Sequence, residues 1–273
     1  MTHKTNGNIQ LLQQLVDYRD GHESEYRFLV DARHVKYVAV DPGILSYHIR
    51  TFSTIPIALL PTFPAGSWNE GRISKDSVTG DLFFSRATKR DLPGVRSIWH
   101  GTLIDHLELT KLYQVRQNIH VVTHPFFDRP IMVKFAAFPW QTQSLEVETA
   151  AYRWIHGRGI GPSFLGHITE AGRVIGFMME MIEGSRTAEA WDLAVCRGAL
   201  ARLHSLRIKH GDINKHNFLV VGGHAVIIDF ETTRRCSNKE ELREEMQHLE
   251  RILSVPVCTE GVGFPVVATG LTC

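Results

Sequence analysis

His210-Gly211-Asp212-Ile213-Asn214-Lys215-His216-Asn217, followed by a Gly222-Gly223 turn and then Ile228-Asp229-Phe230, is the stretch on which the fold turns. Phe218–Val221 and residues 225–230 are two runs of β-formers joined by Gly-Gly, the pattern of a tight hairpin. A hairpin returns the chain to its starting point, so it carries Asp229 back toward Asn217. Asp212, Asn217 and Asp229 then offer two carboxylates and an amide carbonyl in one place. These are hard oxygen groups, the kind magnesium prefers. Phosphoryl transfer asks little more of a protein: an acceptor for the hydroxyl proton, cations on the phosphates, and ligands to hold them.

Working outward, Lys134 lies inside the apolar run Ile131-Met132-Val133-Lys134-Phe135. An amine there is costly unless it is paired or faces a ligand. Residues 118–124 and 130–138 read as strands around a turn at Phe127-Asp128-Arg129. Val147, Ala151 and Trp154 recur at spacings of four and three, which predicts one buried helical face with Glu148 beside it. Gly157 and Gly159 end that helix. Residues 164–168 and 174–181 read as strands joined at Glu170-Ala171-Gly172, and Leu193, Cys196, Leu200 and Leu203 mark a second helix. A last amphipathic helix, residues 239–253, precedes an apolar, Gly-rich tail.

In this order the features resemble the protein-kinase-like superfamily, whose catalytic loop reads H-x-D-x-x-x-x-N and whose metal loop begins D-F. The resemblance spans roughly residues 110–255. It implies an α+β, two-lobed fold: an antiparallel-sheet lobe with one helix over residues 110–183, and a small, mainly helical lobe over residues 184–273. Residues 1–109 form an N-terminal extension of unknown role. The resemblance also implies ATP and magnesium as cofactors. Asp212 is then the catalytic base, and Lys134, paired with Glu148, grips the phosphates. Asn217 and Asp229 become the magnesium ligands, and Glu180, Met181 and Ile182 the segment whose backbone meets adenine.

Three departures shape the expectation. No glycine occurs between residues 112 and 122, where a phosphate-cradling loop belongs, so ATP falls to Arg116, Gln117 or Asn118, or is held weakly. Glu231 follows Asp229-Phe230 where a glycine is usual, and with Gly211 it makes the loops similar to those of aminoglycoside phosphotransferases and choline-type kinases. Only 42 residues follow Glu231, a truncation similar to minimal RIO-like atypical kinases. The expected activity is therefore transfer of the ATP γ-phosphate to a hydroxyl, on a small molecule first and on a protein as the alternative. Glu240, Glu241 and Glu244 would rim such a site and favour a cationic acceptor. A catalytically weak pseudokinase scaffold is a further alternative, supported by the missing glycines and opposed by the intact polar set. A rival reading makes His210, Asp212 and His248 an iron site, although such sites usually sit in β-barrels and helices flank this one.

Composition narrows the partners. The 273 residues include 30 Lys plus Arg against 29 Asp plus Glu, a balance that gives no footprint for nucleic acid. Cys196, Cys236, Cys258 and Cys273 form no CxxC pair, which argues against a zinc ribbon or disulfide framework and for a reducing compartment. The polar start and an apolar stretch, residues 55–60, too short to span a bilayer predict a soluble, cytoplasmic protein without membrane partners.

Overall fold

Two β-rich layers come before the motif. β1 (Ile9–Val16), β2 (Ser24–Val30), β3 (His34–Val40), β4 (Glu70–Lys75) and β5 (Leu82–Thr88) form a five-stranded sheet in that order. β3 and β4 run parallel, and the other neighbours antiparallel. The sheet closes over a core that includes Tyr26, Phe28, Val38, Trp68 and Ile73. This is a computed structural model, and it describes residues 6–16, 22–45 and 57–254. The apolar tail with Cys258 and Cys273, and the start of the 55–60 stretch, lie outside the described residues.

The second sheet comprises β6 (Leu103–Asp105), β7 (Thr110–Arg116), β8 (Ile119–Thr123), β9 (Ile131–Phe135), β10 (Phe164–Glu170) and β11 (Arg173–Met179). Its order is β6-β10-β11-β9-β8-β7. β6 pairs in parallel with β10, Leu103 opposite His167, so the chain enters this sheet upstream of residue 110. Between β9 and β10 runs α1 (Thr142–Ile155), which packs on β11. Its buried face carries Leu145, Glu148, Ala151, Tyr152 and Ile155, while Val147 and Trp154 are only half-buried. The face is thus rotated from the one that apolar spacing predicts. A charged residue contributes nothing to an apolar periodicity, so Glu148 could not be counted on the inside. Tyr152 stands between Phe177 and Phe230, ring centroids 5.1 and 5.3 Å away, and locks α1 onto both the sheet and the motif. Truncating Phe230 to alanine would cost about 3–5 kcal/mol by the usual scale for buried aromatics.

The remaining elements are β12 (Arg186–Thr187), α2 (Leu193–Ser205), β13 (Ile208–Lys209), β14 (Phe218–Val221), β15 (His224–Ile227), β16 (Arg234–Arg235) and α3 (Lys239–Ser254). β14 and β15 form the expected hairpin, with Gly222 and Gly223 both at positive φ, 56° and 76°. That is the backbone a two-residue primed turn demands. α2 packs on β15 and α3 through Cys196, Leu200, Leu203 and Leu249. The result is a mixed α/β molecule of several sheets and three α-helices among the described residues. None of those helices is long and apolar enough to cross a membrane.

The five-stranded sheet is fastened to the second sheet by a buried polar knot. Glu170, at the end of β10, pairs with Arg27 of β2; their side chains are 4% and 3% exposed. Tyr37 Oη and an Arg173 amine donate to the other carboxylate oxygen of Glu170 at 2.8 and 2.7 Å. Burial pushes the Glu170 carboxyl up, but Arg27 and Arg173 outweigh it and bring the pKa down to about 2. Tyr37, Ala137 and Phe138 add an apolar cluster at the same seam.

Candidate active site

Lys134 comes from β9, Glu148 from α1, and Asp229 and Glu231 from the loop after β15. The four meet. Lys134 Nζ donates to Asp229 Oδ1 at 2.8 Å and stands 2.7 Å from both Glu148 Oε2 and Glu231 Oε1. The lysine side chain is 4% exposed and that of Glu148 1%, whereas Asp229 and Glu231 reach solvent at 30% and 36%. Glu148 is therefore the inner partner of the lysine, and the two loop acids stand on its outer side. Glu146, two residues earlier on α1, is not part of this cluster and accepts N–H bonds from Arg96 and Ser97.

Burial disfavours the Lys134 charge, but Glu148, Asp229 and Glu231 overcome it and raise its pKa above the ordinary lysine value. Burial lifts Glu148 up to about 7, against the pull of Lys134. An ammonium with three carboxylate oxygens this close stays protonated, so the direction that governs the cluster is the upward shift of Lys134. Its single charge leaves two of the three carboxylates without a counter-charge when all are ionised.

Glu148 also fixes the Asp229–Glu231 loop by accepting the Phe230 N–H at 3.2 Å. Asp229 itself has φ 65°, a left-handed conformation that Asp tolerates better than most side chains. Burying Phe230 against Tyr152 and bonding its N–H to Glu148 hold that conformation in place.

Asp212 and Asn217 form the second half of the site. Asn217 Nδ2 donates to the Asp212 carbonyl at 2.9 Å and to Asp212 Oδ2 at 3.1 Å; Asn214 Nδ2 reaches the same oxygen at 3.2 Å. Both amides thus converge on Oδ2 and leave Oδ1 of this exposed carboxylate as an acceptor. With Nδ2 spent, the Asn217 side chain offers only its carbonyl oxygen to a ligand. The two halves are tied by the backbone. Ile228 N–H donates to Asn217 O at 3.0 Å, and His210 Nε2–H donates to Ile228 O at 3.1 Å. His210 Nδ1 accepts the Asp212 N–H at 3.3 Å. Both ring nitrogens of this fully buried histidine are therefore occupied by backbone, and His248 is exposed on α3. The iron-site reading fails on both counts.

Several supports were not foreseen from the sequence. Glu245 of α3, 6% exposed, accepts the N–H groups of His210 at 3.1 Å and Gly211 at 2.7 Å, and pairs with His204 Nε2 at 2.7 Å. Burial pushes its pKa up, but those three donors win and hold the carboxyl below the usual range. Thr232 and Thr233 hydroxyls donate to His210 O. Gly211 has φ 90°, and a Cβ there would lie 2.7 Å from Thr232 O, so only glycine fits between the two loops. Glu231, flagged in the sequence only as a departure, proves to be a partner of Lys134. The expected acidic rim is largely neutralised: Glu240 pairs with Arg243, and Glu241 with Lys209 and Arg234.

Glu180, Met181 and Ile182 follow directly on β11, beside β9 in the register Phe177 opposite Lys134 and Met179 opposite Met132. Glu180 N–H is bound to Ser163 O and the Met181 carbonyl to Glu183 N–H. The N–H groups of Met181 and Ile182 donate to no backbone carbonyl among the described residues. The donor set suits a divalent cation: the oxygens are hard, and the carboxylates of Glu148, Asp229 and Glu231 approach within 4.8 Å of one another with negative charge to spare.

Residues 183–261 match the model of a family described as "Lipopolysaccharide kinase (Kdo/WaaP) family". No curated protein matches the chain. The matched segment holds Asp212, Asn217, Asp229, Glu231 and Glu245, the residues whose backbone and side chains interlock here. Motif and family match therefore converge on one segment: over residues 183–261 the chain is similar to a kinase family of the protein-kinase-like superfamily, which supports a kinase activity.

Proposed function

We propose that the chain moves the γ-phosphoryl group of ATP, with magnesium, onto a hydroxyl of a small molecule, in a two-lobed kinase-like arrangement. The observation that carries this is the meeting of Lys134, Glu148, Asp229 and Glu231 one hairpin away from Asp212 and Asn217. The lysine holds a positive charge toward the phosphates, kept in place by Glu148. Asn217 and Asp229 would hold the magnesium, and Glu231 offers a further carboxylate beside Asp229. When bound, magnesium screens the phosphate charge and stabilises negative charge as the γ-group transfers. Asp212 Oδ1 accepts the proton of the attacking hydroxyl. The hydroxyl oxygen bonds to the γ-phosphorus, the bond to the β–γ bridging oxygen breaks, and ADP leaves with that electron pair.

The acceptor is read from the neighbourhood and the family description together. A short loop between Asp229 and α3 offers no long platform for an extended peptide. The matched family is named for a lipopolysaccharide kinase, which favours a sugar hydroxyl as acceptor. Ion pairs engage Glu240 and Glu241, two of the three acids on which the expectation of a cationic substrate rests, and so weaken the support for one. Labelled ATP and magnesium, offered with a panel of sugars and glycolipid headgroups and separately with protein extract, test the reading. Label should pass to a sugar. Label confined to protein serine or threonine would replace the acceptor with a protein, and no transfer to anything would sink the proposal.

A further inference from the structure

The six-stranded sheet has two adjacent cross-strand rows on the face that α1 covers in part. One row runs Tyr113, Val121, Met132, Met179, and the next runs Arg116, Ile119, Lys134, Phe177. Directly opposed residues in antiparallel strands share a face, and an irregularity between Gln114 and Arg116 of β7 brings Arg116, three residues after Tyr113, opposite Ile119 and so to the side of Lys134. α1 covers only the β11 and β9 part of these rows, where Tyr152 contacts Phe177 and Met179 and Glu148 meets Lys134. At the β7 end nothing does: Tyr113 is 56% exposed, and Arg116 is exposed with no carboxylate in ion-pair range among the described residues.

The two residues also sit at opposite ends of one direction. The Tyr113 hydroxyl lies 3.9 Å from Met181 Sδ, in the segment after β11 where the N–H groups of Met181 and Ile182 donate to no backbone carbonyl among the described residues. Arg116 lies in the lysine row, two strand spacings from Lys134, or roughly 10 Å. A nucleotide lying along the strands would meet Tyr113 at its base and Arg116 and Lys134 at its phosphates.

We propose that the β7–β8 hairpin binds the nucleotide by side chains, Tyr113 stacking on the base and Arg116 clamping the phosphates opposite Lys134. A glycine loop works through backbone N–H groups approaching closely. A guanidinium extends farther and binds phosphate oxygens in a fork, so it needs no glycine. This explains how the glycine-free stretch is compatible with a phosphate site, and it rests on the nucleotide reading given above.

Titration calorimetry of wild-type protein, Arg116→Ala and Tyr113→Ala with Mg-ATP and with adenosine separates the parts. Loss of the arginine should weaken Mg-ATP roughly 10–100-fold and leave adenosine unchanged, with Arg116→Lys recovering part of the loss. Loss of the tyrosine should weaken both ligands by the same factor, roughly tenfold. Both side chains are exposed, so ligand-free melting should be unaltered, and Arg116→Gln serves if the alanine variant melts early. An unchanged ratio of ATP to adenosine affinity in Arg116→Ala would overturn this inference alone. Wild-type protein that binds neither ligand would overturn the proposed function with it.

Discussion

Replacing Glu170 with glutamine tests how firmly the N-terminal sheet is joined to the rest of the chain. The variant keeps the side chain's size but removes the charge that faces Arg27, which is 3% exposed. Breaking one partner of a buried pair leaves the other charge uncompensated and costs about 3–5 kcal/mol. The pKa points the same way: burial pushes the carboxyl up, but Arg27 and Arg173 outweigh it and bring it down to about 2. For a chain of this size a loss of about 3–5 kcal/mol lowers the melting temperature by about 6–20 °C. The sign follows from the lowered pKa: the contribution is full above about pH 4.5 and fades as pH falls toward 2. Circular dichroism melts of wild-type and variant protein should therefore differ by a constant amount from pH 7 to 5 and converge in acid. Both should show one transition, because the seam couples the two sheets. A variant that melts within 2 °C of wild type at pH 7, or a wild-type melt in two steps, would refute the reasoning.

Three further outcomes follow. Glu245→Ala should cut turnover at least tenfold while changing the nucleotide dissociation constant little, since it takes the acceptor from the N–H groups of His210, which is buried, and Gly211; equal losses in both would make Glu245 a general stability residue. Gly211→Ala should destabilise the protein and lower turnover, because its Cβ meets Thr232 O and its φ is 90°; a variant with full activity and stability would show that the loops can part freely. Burial first, and then Arg27, Lys111 and His100 respectively, lower His106, His120 and His167 to about 4. The unfolded chain therefore binds protons that the folded one refuses, and urea-unfolding free energy should fall as pH drops from 6.5 toward 4. A flat profile there would show that one or more of them is protonated in the fold.

The part of the molecule with dense local chemistry was legible in the sequence. Asp212, Asn217 and Asp229 are bound by a hairpin whose Gly-Gly turn announces itself, and Lys134 stands out as a charge in an apolar strand. The long-range parts were not. Glu170 reads as an ordinary turn residue, because nothing near it in sequence hints at Arg27, 143 positions earlier. β6 is three residues long, too short for any alternation to mark it, yet it extends the second sheet. Glu148 was named as the lysine's partner while its helix was given the wrong inward face, since apolar periodicity is blind to a buried charge. Glu231 and Glu245 carry no local signal of their roles; their partners are set by how loop and helix return to the catalytic loop.

The measurement that tests the central claim most directly is the melting curve with Mg-ATP. At about a hundred times its dissociation constant the ligand should stabilise the fold by about 2.7 kcal/mol, a rise on the order of 5–10 °C. Chelating the magnesium or replacing Asp229 with asparagine should remove most of the rise, while Asp212→Asn should keep it and lose turnover roughly 10²–10⁴-fold. A wild-type curve unmoved by millimolar Mg-ATP, or a rise that survives in Asp229→Asn, would contradict the site built from Lys134, Glu148 and Asp229.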